Sequence, residues 1–211
     1  MTGTVIAILI IASLMSAVDW IAVARDSTWL EYVSKPAATI AFLIVVATLD
    51  VPHDLAWSLL LVAFVFCLAG DVFLMLPINA FVPGLASFAL AQVLFAITFF
   101  GANINWSRFI AGLFLTVPVA GLLARRFITA MRVAGLNALV LPVSVYVVVI
   151  SSMALGAIAS GSVVAIAGAV SFMISDSLIA ERRFVNEQKW HPVAIMVTYH
   201  FALAGLALSL L

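Results

Sequence analysis

The sequence predicts an all-α membrane protein, a bundle of eight transmembrane helices, on three grounds. Hydrophobic residues make up 66% of the chain and charged residues 9%, where a soluble domain carries about 45–50% and about 25%. Apolar stretches of roughly 20 residues, the length that crosses a bilayer, alternate with short polar breaks. No alternating barrel pattern appears, so the spans are helices, because lipid offers no partner to an unpaired backbone group.

The eight predicted spans account for the whole chain. Residues 1–211 therefore form one polytopic transmembrane domain, with no soluble domain and no long linker. In order, the spans cover about residues 4–24, 29–49, 55–76, 81–101, 108–124, 134–157, 162–180 and 192–211.

Local signals decide where the first two helices lie. The first stretch resembles a signal peptide, but it lacks a basic leading segment and stays apolar past Asp19 to Ala24, so we expect it to be a helix. Thr28 and Glu31 have the spacing of a capping box, which starts the second helix and places Lys35 inside it. All five tryptophans fall near predicted ends, as an interfacial aromatic belt requires.

The basic residues predict the orientation. Apart from Lys35 in the second span and Arg108 at the start of the fifth, every basic residue follows the first, fifth or seventh helix. They are Arg25, Arg125, Arg126, Arg132, Arg182, Arg183 and Lys189. Because cytoplasmic loops carry the excess of Lys and Arg, we expect these loops inside and both termini outside, in a bacterial inner membrane.

Charge balance and cysteine content exclude several classes of protein. Nine Lys and Arg residues balance nine Asp and Glu residues, so nothing indicates a nucleic-acid partner. Cys67 is the one cysteine, which excludes a disulfide framework and a multi-cysteine metal site. The sequence has no phosphate-binding loop and no Ser-His-Asp motif, and His200 is the one histidine inside a predicted span. We therefore expect no metal and no cofactor.

Four ionisable residues lie inside predicted spans, where each costs roughly 2.5–3.5 kcal/mol on insertion scales. They are Asp19, Lys35, Asp71 and Asp176, in helices 1, 2, 3 and 7. With a rise of about 1.5 Å per residue, each lies about 8–10 Å from the cytoplasmic end of its helix. Charges that share one level predict a functional layer rather than scattered exceptions.

Other polar side chains extend this layer. Asn137 lies in helix 6, Tyr199 and His200 lie in helix 8, and Gln92 and Tyr146 lie deeper. Tyr199 and His200 are neighbours and point about 100° apart on their helix, and either can instead be an ordinary packing residue. The layer predicts a polar cavity that is open to the cytoplasmic leaflet and closed by apolar helix on the outer side.

Asp71 and Asp176 are the candidate catalytic pair. Their helices run in the same direction, and each aspartate follows a small residue, Gly70 or Ser175, that allows close helix packing. Two like charges at one depth are difficult to explain by structure alone. Asp19 and Lys35 are compatible with a structural ion pair as well as with a functional one.

Two parallel four-helix repeats are an alternative organisation within the bundle. Asp71 and Asp176 both fall in the third helix of a half. A proline follows Lys35 in helix 2 and Leu141 in helix 6, at nearly the same offset. Two halves related by an axis along the membrane normal would bring the aspartates together at the centre.

A set of motifs in a fixed order, rather than a single motif, carries a family resemblance. The motifs are residues 70–76 (GDVFLML), Phe81, Gly84, Leu85, Phe88 and Ala91, with Lys35-Pro36, Ser175-Asp176, Tyr199 and Ala202. At these residues nearly the whole chain resembles the lysoplasmalogenase (YhhN-like) family of integral membrane proteins. Gln92 and Leu203 depart from the family pattern, which commonly has a histidine and a glutamine there.

The resemblance implies an eight-span enzyme that hydrolyses the vinyl ether of a lysoplasmalogen, a lysophospholipid, to a fatty aldehyde and a glycerophospho-alcohol. Protonation of the vinyl β-carbon gives an oxocarbenium ion that water captures. Two close carboxyl groups in a low-dielectric site do not readily both ionise, so one keeps its proton, and acid and base stay unassigned within the pair. The expected supporting residues are Lys35, Tyr199, Gln92, Tyr146, Asn137, Asp19 and His200.

Two other classes of protein use membrane-embedded carboxylates. An intramembrane aspartyl protease has two, one of them after a glycine, but its Tyr-Asp and Pro-Ala-Leu motifs do not occur in this sequence. A proton-coupled transporter should carry polar groups through to the outer face, whereas the outer halves of these helices are almost entirely apolar. Both classes stay open beside the lipid hydrolase.

Overall fold

The computed structural model describes residues 1–78, 80–102 and 104–211. These residues form eight α-helices and no β-strand, which confirms the all-α fold class. The helices are α1 (Gly3–Ala24), α2 (Thr28–Thr48), α3 (Leu55–Met75), α4 (Phe81–Gly101), α5 (Trp106–Val133), α6 (Asn137–Ser160), α7 (Val163–Ala180) and α8 (His191–Ala207). Seven are long and apolar enough to cross a membrane. α8 has 17 residues, close to the lower limit for a span of about 17–25 residues.

α5 is longer than predicted, which corrects the loop expected after it. The helix continues to Val133, so the three arginines within residues 125–132 lie on a helix. Five of its eight residues are Arg, Ala or Met, which are good helix formers. The chain turns only at Gly135, whose φ of 74° is in the left-handed region, and α6 therefore begins at Asn137.

The capping box predicted for α2 is not formed, although the helix is in the predicted place. Thr28 is the first helical residue, and Ser27 occupies the N-cap position without a side-chain hydrogen bond. The tight turn before it includes Asp26 at a positive φ of 52°. Lys35 lies inside α2, as predicted.

Consecutive helices pack in the same order in both halves of the chain. The contacts α1–α2, α2–α3 and α3–α4 match α5–α6, α6–α7 and α7–α8. The halves join where α4 packs on α6 and where α8 packs on α1 and α2. This order is compatible with the duplication, which stays a prediction.

α7 and α8 approach closely at two glycines. A Cβ atom added at Gly205 would lie 2.7 Å from the Cα atom of Gly168. Such close backbones are typical of helix crossings built on small residues in membranes. The crossing fixes the level of Tyr199 on α8 relative to Asp176 on α7.

One end of the bundle, called the basic end below, gathers most of the basic residues on its turns and helix ends. They are Arg25, Arg125, Arg126, Arg132, Arg182, Arg183 and Lys189. Arg126 of α5 pairs with Glu181 at 2.6 Å, which ties α5 to the π-helical turn Glu181–Val185 that continues α7. The basic residues that predict the orientation therefore lie together at one end of the bundle. The orientation itself stays a prediction.

Candidate functional site

Asp71 is fully buried in α3 and is held by side chains from α2 and α8. The Nζ atom of Lys35 lies 3.6 Å from its Oδ1 atom. Thr39 donates a hydrogen bond to its Oδ2 atom at 2.6 Å, and the Tyr199 hydroxyl donates another at 2.8 Å. A buried carboxylate needs such partners, because an unpaired charge in a low-dielectric interior is costly. These four residues are called the Asp71 cluster below.

The local sequence explains how this cluster assembles. Lys35 and Thr39 are four residues apart on α2, so their side chains are neighbours on one face. On α3, a Cβ atom added at Gly70 would lie 2.6 Å from the ring of Phe88. The glycine therefore makes room for α4 beside Asp71, and the Phe88 ring also meets the Tyr199 ring edge-on at 5.9 Å.

A second buried polar group lies beside the Asp71 cluster. Asp19 of α1 accepts a hydrogen bond from Ser34 at 2.9 Å, and its other oxygen lies 4.0 Å from Nε2 of His200, too far for a hydrogen bond. The Nδ1 atom of His200 accepts a hydrogen bond from the Trp20 indole at 2.9 Å. Because Nδ1 is the acceptor, the proton of the neutral imidazole lies on Nε2, facing Asp19.

Lys35 pairs with Asp71 and not with Asp19. Among the described residues its one ion pair is with Asp71, although its charge also acts on Asp19 and His200. The structural Asp19–Lys35 pair considered from the sequence is therefore not formed. The lysine instead stands between the two buried polar groups.

Asp176 of α7 has a different environment. It accepts a hydrogen bond from the Tyr146 hydroxyl of α6, and no ion pair within the described part of the chain includes it. The amide of Gln92 on α4 lies close to the same hydroxyl and is fully buried. Asp176 itself is only half-buried.

Asp176 faces a cavity with mostly apolar walls, called the apolar cavity below. Its space, including the part open to the outside, is about 590 Å³. Side chains of α3 to α7 and of the π-helical turn form the walls, among them Leu85, Phe88, Phe127, Val147 and Ile150.

A second cavity, called the vestibule below, opens at the basic end. It has a volume of about 1060 Å³, again including its open part. Its charged lining residues are Glu31, Lys35, Arg182, Arg183 and Glu187. Leu74, Phe81 and Ile179 line both cavities, so these three residues form the boundary between a charged space and an apolar one.

The two aspartates predicted as a catalytic pair are near each other but not joined. The charge of Asp71 acts on Asp176, yet the hydrogen bonds of the described residues give each carboxylate its own tyrosine.

Ser175 donates a hydrogen bond to the backbone carbonyl of Ile195 at 3.0 Å. At this depth α7 therefore packs on α8, as α3 packs on α4.

A comparison with known protein families decides the relationship of the chain. A model of the YhhN family matches residues 30–210, which cover nearly all of α2 and the whole of α3 to α8. The chain belongs to the YhhN family. The matched range contains Lys35, Asp71 and Asp176, whereas Asp19 precedes it. No match to a curated protein or to a solved structure was found.

The structure of this YhhN protein places the predicted supporting residues in three groups. Lys35 and Tyr199 hold Asp71, Tyr146 and Gln92 lie beside Asp176, and His200 lies beside Asp19. Asn137 joins none of them. It is the exposed first residue of α6 and lines neither the apolar cavity nor the vestibule, because α6 begins later than predicted.

Three polar contacts were not predicted from the sequence. Thr39 lies one turn from Lys35, and this spacing alone could have indicated it. Ser34 could not be singled out, because the chain has many serines. Trp20 was expected only in the aromatic belt, but its indole also donates a hydrogen bond to His200.

Among the described residues no three His, Cys, Asp or Glu side chains are grouped to hold a metal ion.

Proposed function

We propose that this YhhN family protein is a membrane-embedded hydrolase that cleaves the vinyl ether bond of a lysoplasmalogen. The products are a fatty aldehyde and a glycerophospho-alcohol. One observation carries the proposal: Asp176, held by Tyr146, faces an apolar cavity that adjoins a charged vestibule. A carboxyl group thus lies beside the space for a lipid chain and near the space for a headgroup.

The two cavities differ as the two parts of a single-chain amphiphile differ. The apolar cavity suits the chain, because burial of apolar surface contributes about 25 cal/mol per Å². The vestibule offers charged side chains to a phosphate-containing headgroup. Ile179, one turn after Asp176, lines both spaces, so the carboxyl group lies close to where the ether joins chain and headgroup.

Asp176 is the proton donor in this mechanism. Its proton goes to the vinyl carbon β to the ether oxygen, and the electron pair of the double bond forms the new C–H bond. Water adds to the resulting oxocarbenium ion and gives its proton to the Asp176 carboxylate. The hemiacetal then collapses as its hydroxyl proton passes to the departing glycerol oxygen, so one water is consumed and Asp176 is protonated again. General acids of this kind typically contribute 10²–10⁴-fold.

Asp71 supports this step through its charge. A lysine and two hydroxyl donors provide an environment that suits a carboxylate, whereas one hydroxyl donor beside an apolar cavity suits a neutral acid. The charge of Asp71 acts at Asp176 and would stabilise the positive charge that develops on the oxocarbenium ion. These environments favour Asp176 as the acid of the pair.

The packing beyond the site favours a hydrolase over a proton-coupled transporter. Toward the end opposite the basic end, the core includes Leu60, Phe64, Phe95 and Leu206, all fully buried. A proton or ion pathway through a membrane protein is lined by polar or ionisable groups. An apolar core at this level is expected for a site that substrate and water reach from the basic end.

Two substrates that differ only in the double bond test the proposal. Purified protein in lipid nanodiscs is incubated with a 1-alkenyl lysophospholipid or with the matching 1-alkyl compound. We expect fatty aldehyde, detected by mass spectrometry, from the alkenyl substrate alone. Asp176→Asn should abolish its release, and Asp50→Asn, at an exposed position on the opposite end, should not. The proposal fails if the wild type releases no aldehyde or if Asp176→Asn releases as much.

We infer in addition that the basic end faces the cytoplasm of a bacterial cell, with both termini outside the inner membrane. Cys67→Ala removes the one native cysteine, and single cysteines are then placed at Asp50 and Lys189. A membrane-impermeant thiol reagent added to intact cells should label the first position. Labelling of the second position instead would reverse the orientation.

A further inference from the structure

We propose that Gln92 is a positioning residue for the proton transfer from Asp176. Its amide holds the Tyr146 hydroxyl in the orientation that keeps the acidic proton on the Asp176 oxygen available to the substrate. The inference rests on the proposed function, because it concerns the same acid. It gives a role to a polar side chain that lines neither the apolar cavity nor the vestibule.

Gln92 carries a buried amide without a hydrogen-bond partner. The side chain is fully buried in α4, and within the described part of the chain neither its nitrogen nor its oxygen makes a hydrogen bond. Buried polar groups in proteins are as a rule hydrogen-bonded, because an unpaired one costs its full desolvation energy. An apolar side chain of the same size would stabilise the fold more, so packing alone does not explain a glutamine here.

The Tyr146 hydroxyl is a neighbour of this amide. The helix that carries Gln92, α4, packs on α6, which carries Tyr146. The two side chains lie close enough to interact, although their contact does not have the geometry of a hydrogen bond. Catalytic hydrogen bonds are often long or poorly aligned in a free enzyme and tighten in the complex with substrate. The terminal torsion of a glutamine is soft, so the amide can turn an N–H group toward the phenol oxygen.

The orientation of the Tyr146 hydroxyl depends on which end of the amide faces it. A hydroxyl has one proton to donate and can also accept a hydrogen bond. If the Gln92 oxygen accepts that proton, the phenol oxygen is left to bind the proton of Asp176, which is then held away from the substrate. If a Gln92 N–H group binds the phenol oxygen, the hydroxyl donates to Asp176, as it does in the structure.

The second orientation leaves the acidic proton where the reaction needs it. The Tyr146 hydroxyl binds Oδ2 of Asp176, so the proton lies on Oδ1, and Asp176 lines the apolar cavity. When this proton moves to the vinyl carbon, Asp176 becomes a carboxylate, to which hydrogen bonds are stronger. Donors in a chain also polarise one another. The chain from Gln92 through Tyr146 to Asp176 therefore strengthens as the transition state forms, which lowers the barrier.

Gln92→Met tests this role, because methionine has a similar size and no amide. The rate of aldehyde release from a 1-alkenyl lysophospholipid is measured with protein in nanodiscs. We expect kcat to fall about 3- to 10-fold, the worth of one hydrogen bond between neutral groups. KM should stay unchanged, since Gln92 lines neither cavity. The midpoint of thermal unfolding should rise or stay the same, because an unpaired buried amide is removed.

Ser151→Ala is the matched control. The Ser151 hydroxyl is also buried without a hydrogen-bond partner among the described residues, and it lies on the same helix as Tyr146 but outside both cavities. We expect this variant to keep the wild-type kcat. An unchanged kcat in Gln92→Met, or an equal loss in the two variants, would overturn the positioning role.

A double variant asks whether Gln92 acts through Tyr146. In a Tyr146→Phe protein the hydroxyl is gone, so Gln92→Met should cause no further loss of kcat, whereas independent effects would multiply. Multiplied losses would overturn the proposal. If Gln92→Met does not fold, Gln92→Leu replaces it in both comparisons.

Infrared spectroscopy tests the contact without turnover. The C–O stretching band of Tyr146, found by subtracting the spectrum of Tyr146→Phe, responds to the hydrogen bonds of the phenol. In protein that holds a non-hydrolysable 1-alkyl lysophospholipid, Gln92→Met should shift this band and Ser151→Ala should not. A band that Gln92→Met leaves in place would overturn the contact. Failure of the proposed function looks different: the wild type releases no aldehyde, while the band still shifts.

Discussion

Asp71 of α3 and Asp176 of α7 each lie in the third helix of a four-helix half of the chain and have different environments. Each follows a small residue and accepts a hydrogen bond from a tyrosine hydroxyl. Asp71 is enclosed beside Lys35, whereas Asp176 faces the apolar cavity. Lys35 precedes the proline of α2, whereas the residue before the proline of α6 is Leu141, which is exposed on the outside of the bundle. Among the described residues, one cation pairs with Asp71 and none pairs with Asp176, and this difference separates the two sites.

This difference teaches that depth in the membrane and residue type do not assign a role by themselves. A buried carboxylate with a cation is needed for the stability of the fold, since loss of either partner leaves an uncompensated charge, even where its charge also supports a reaction at a neighbouring group. A buried carboxyl group without one is a candidate for proton transfer. The following variants ask whether the two aspartates divide these roles.

The largest expected effect is on catalysis at Asp176. Asp176→Asn should lower the rate of aldehyde release by about 10²–10⁴ and leave the midpoint of thermal unfolding nearly unchanged. Asparagine keeps the size of the side chain and an acceptor for Tyr146, but it has no acidic proton to give. More than about a tenth of the wild-type rate would exclude Asp176 as the acid.

The largest expected effect on stability is at Asp71. Asp71→Asn should lower the free energy of unfolding by about 3–5 kcal/mol, because it leaves Lys35 buried without its carboxylate. Denaturant unfolding in detergent measures this loss. The double variant Asp71→Asn with Lys35→Met should recover most of it, since the buried charge is gone as well. A double variant no more stable than the single one would show that the ion pair is not the cause.

Tyr146→Phe should act on catalysis. The Tyr146 hydroxyl is the one hydrogen-bond donor to Asp176 among the described contacts, so its loss leaves the carboxyl group unoriented. Asp176 becomes a carboxylate as it gives up its proton, and a hydrogen bond to a charged group is worth about 1.5–3 kcal/mol. We therefore expect a drop of about 10- to 100-fold in the rate of aldehyde release. A normal rate with reduced stability would assign the tyrosine to packing.

The matched change at the other tyrosine should act on stability, and more weakly. Tyr199→Phe removes one of two hydroxyl donors to Asp71, while Thr39 and Lys35 remain. We expect a loss of about 1 kcal/mol in the free energy of unfolding and a rate of aldehyde release close to that of the wild type. If Tyr199→Phe slows the reaction as much as Tyr146→Phe, the division of roles is wrong.

The number and order of the helices could be predicted because lipid leaves the backbone only one solution for a single span. Outside the membrane this constraint ends. Residues 125–132 are as compatible with a helix as with a loop, so the end of α5 and the start of α6 at Asn137 were predicted wrongly.

In the site, the level of each residue could be predicted, but not its direction. Counting along a helix gives depth, so Lys35 and Asp71 were expected to share one level, and they do interact. Rotation about each helix axis depends on packing. The room left by Gly70 is taken by Phe88, which no count along α3 reveals. Nor does a count along the helices show that Asp71 and Asp176 accept hydrogen bonds from different tyrosines.

Hydrolysis in D₂O tests most directly whether the reaction protonates the vinyl carbon, which is the step assigned to Asp176. The carboxyl group exchanges its proton with solvent, so the aldehyde should carry one deuterium on the carbon next to its carbonyl. The aldehyde is trapped at once as an oxime, and its mass is measured by mass spectrometry. Authentic aldehyde incubated in the same D₂O controls for exchange of hydrogen next to its carbonyl group. A gain of one mass unit over that control is the expected result. Aldehyde released without deuterium would contradict protonation of the vinyl carbon, and with it the role given to Asp176.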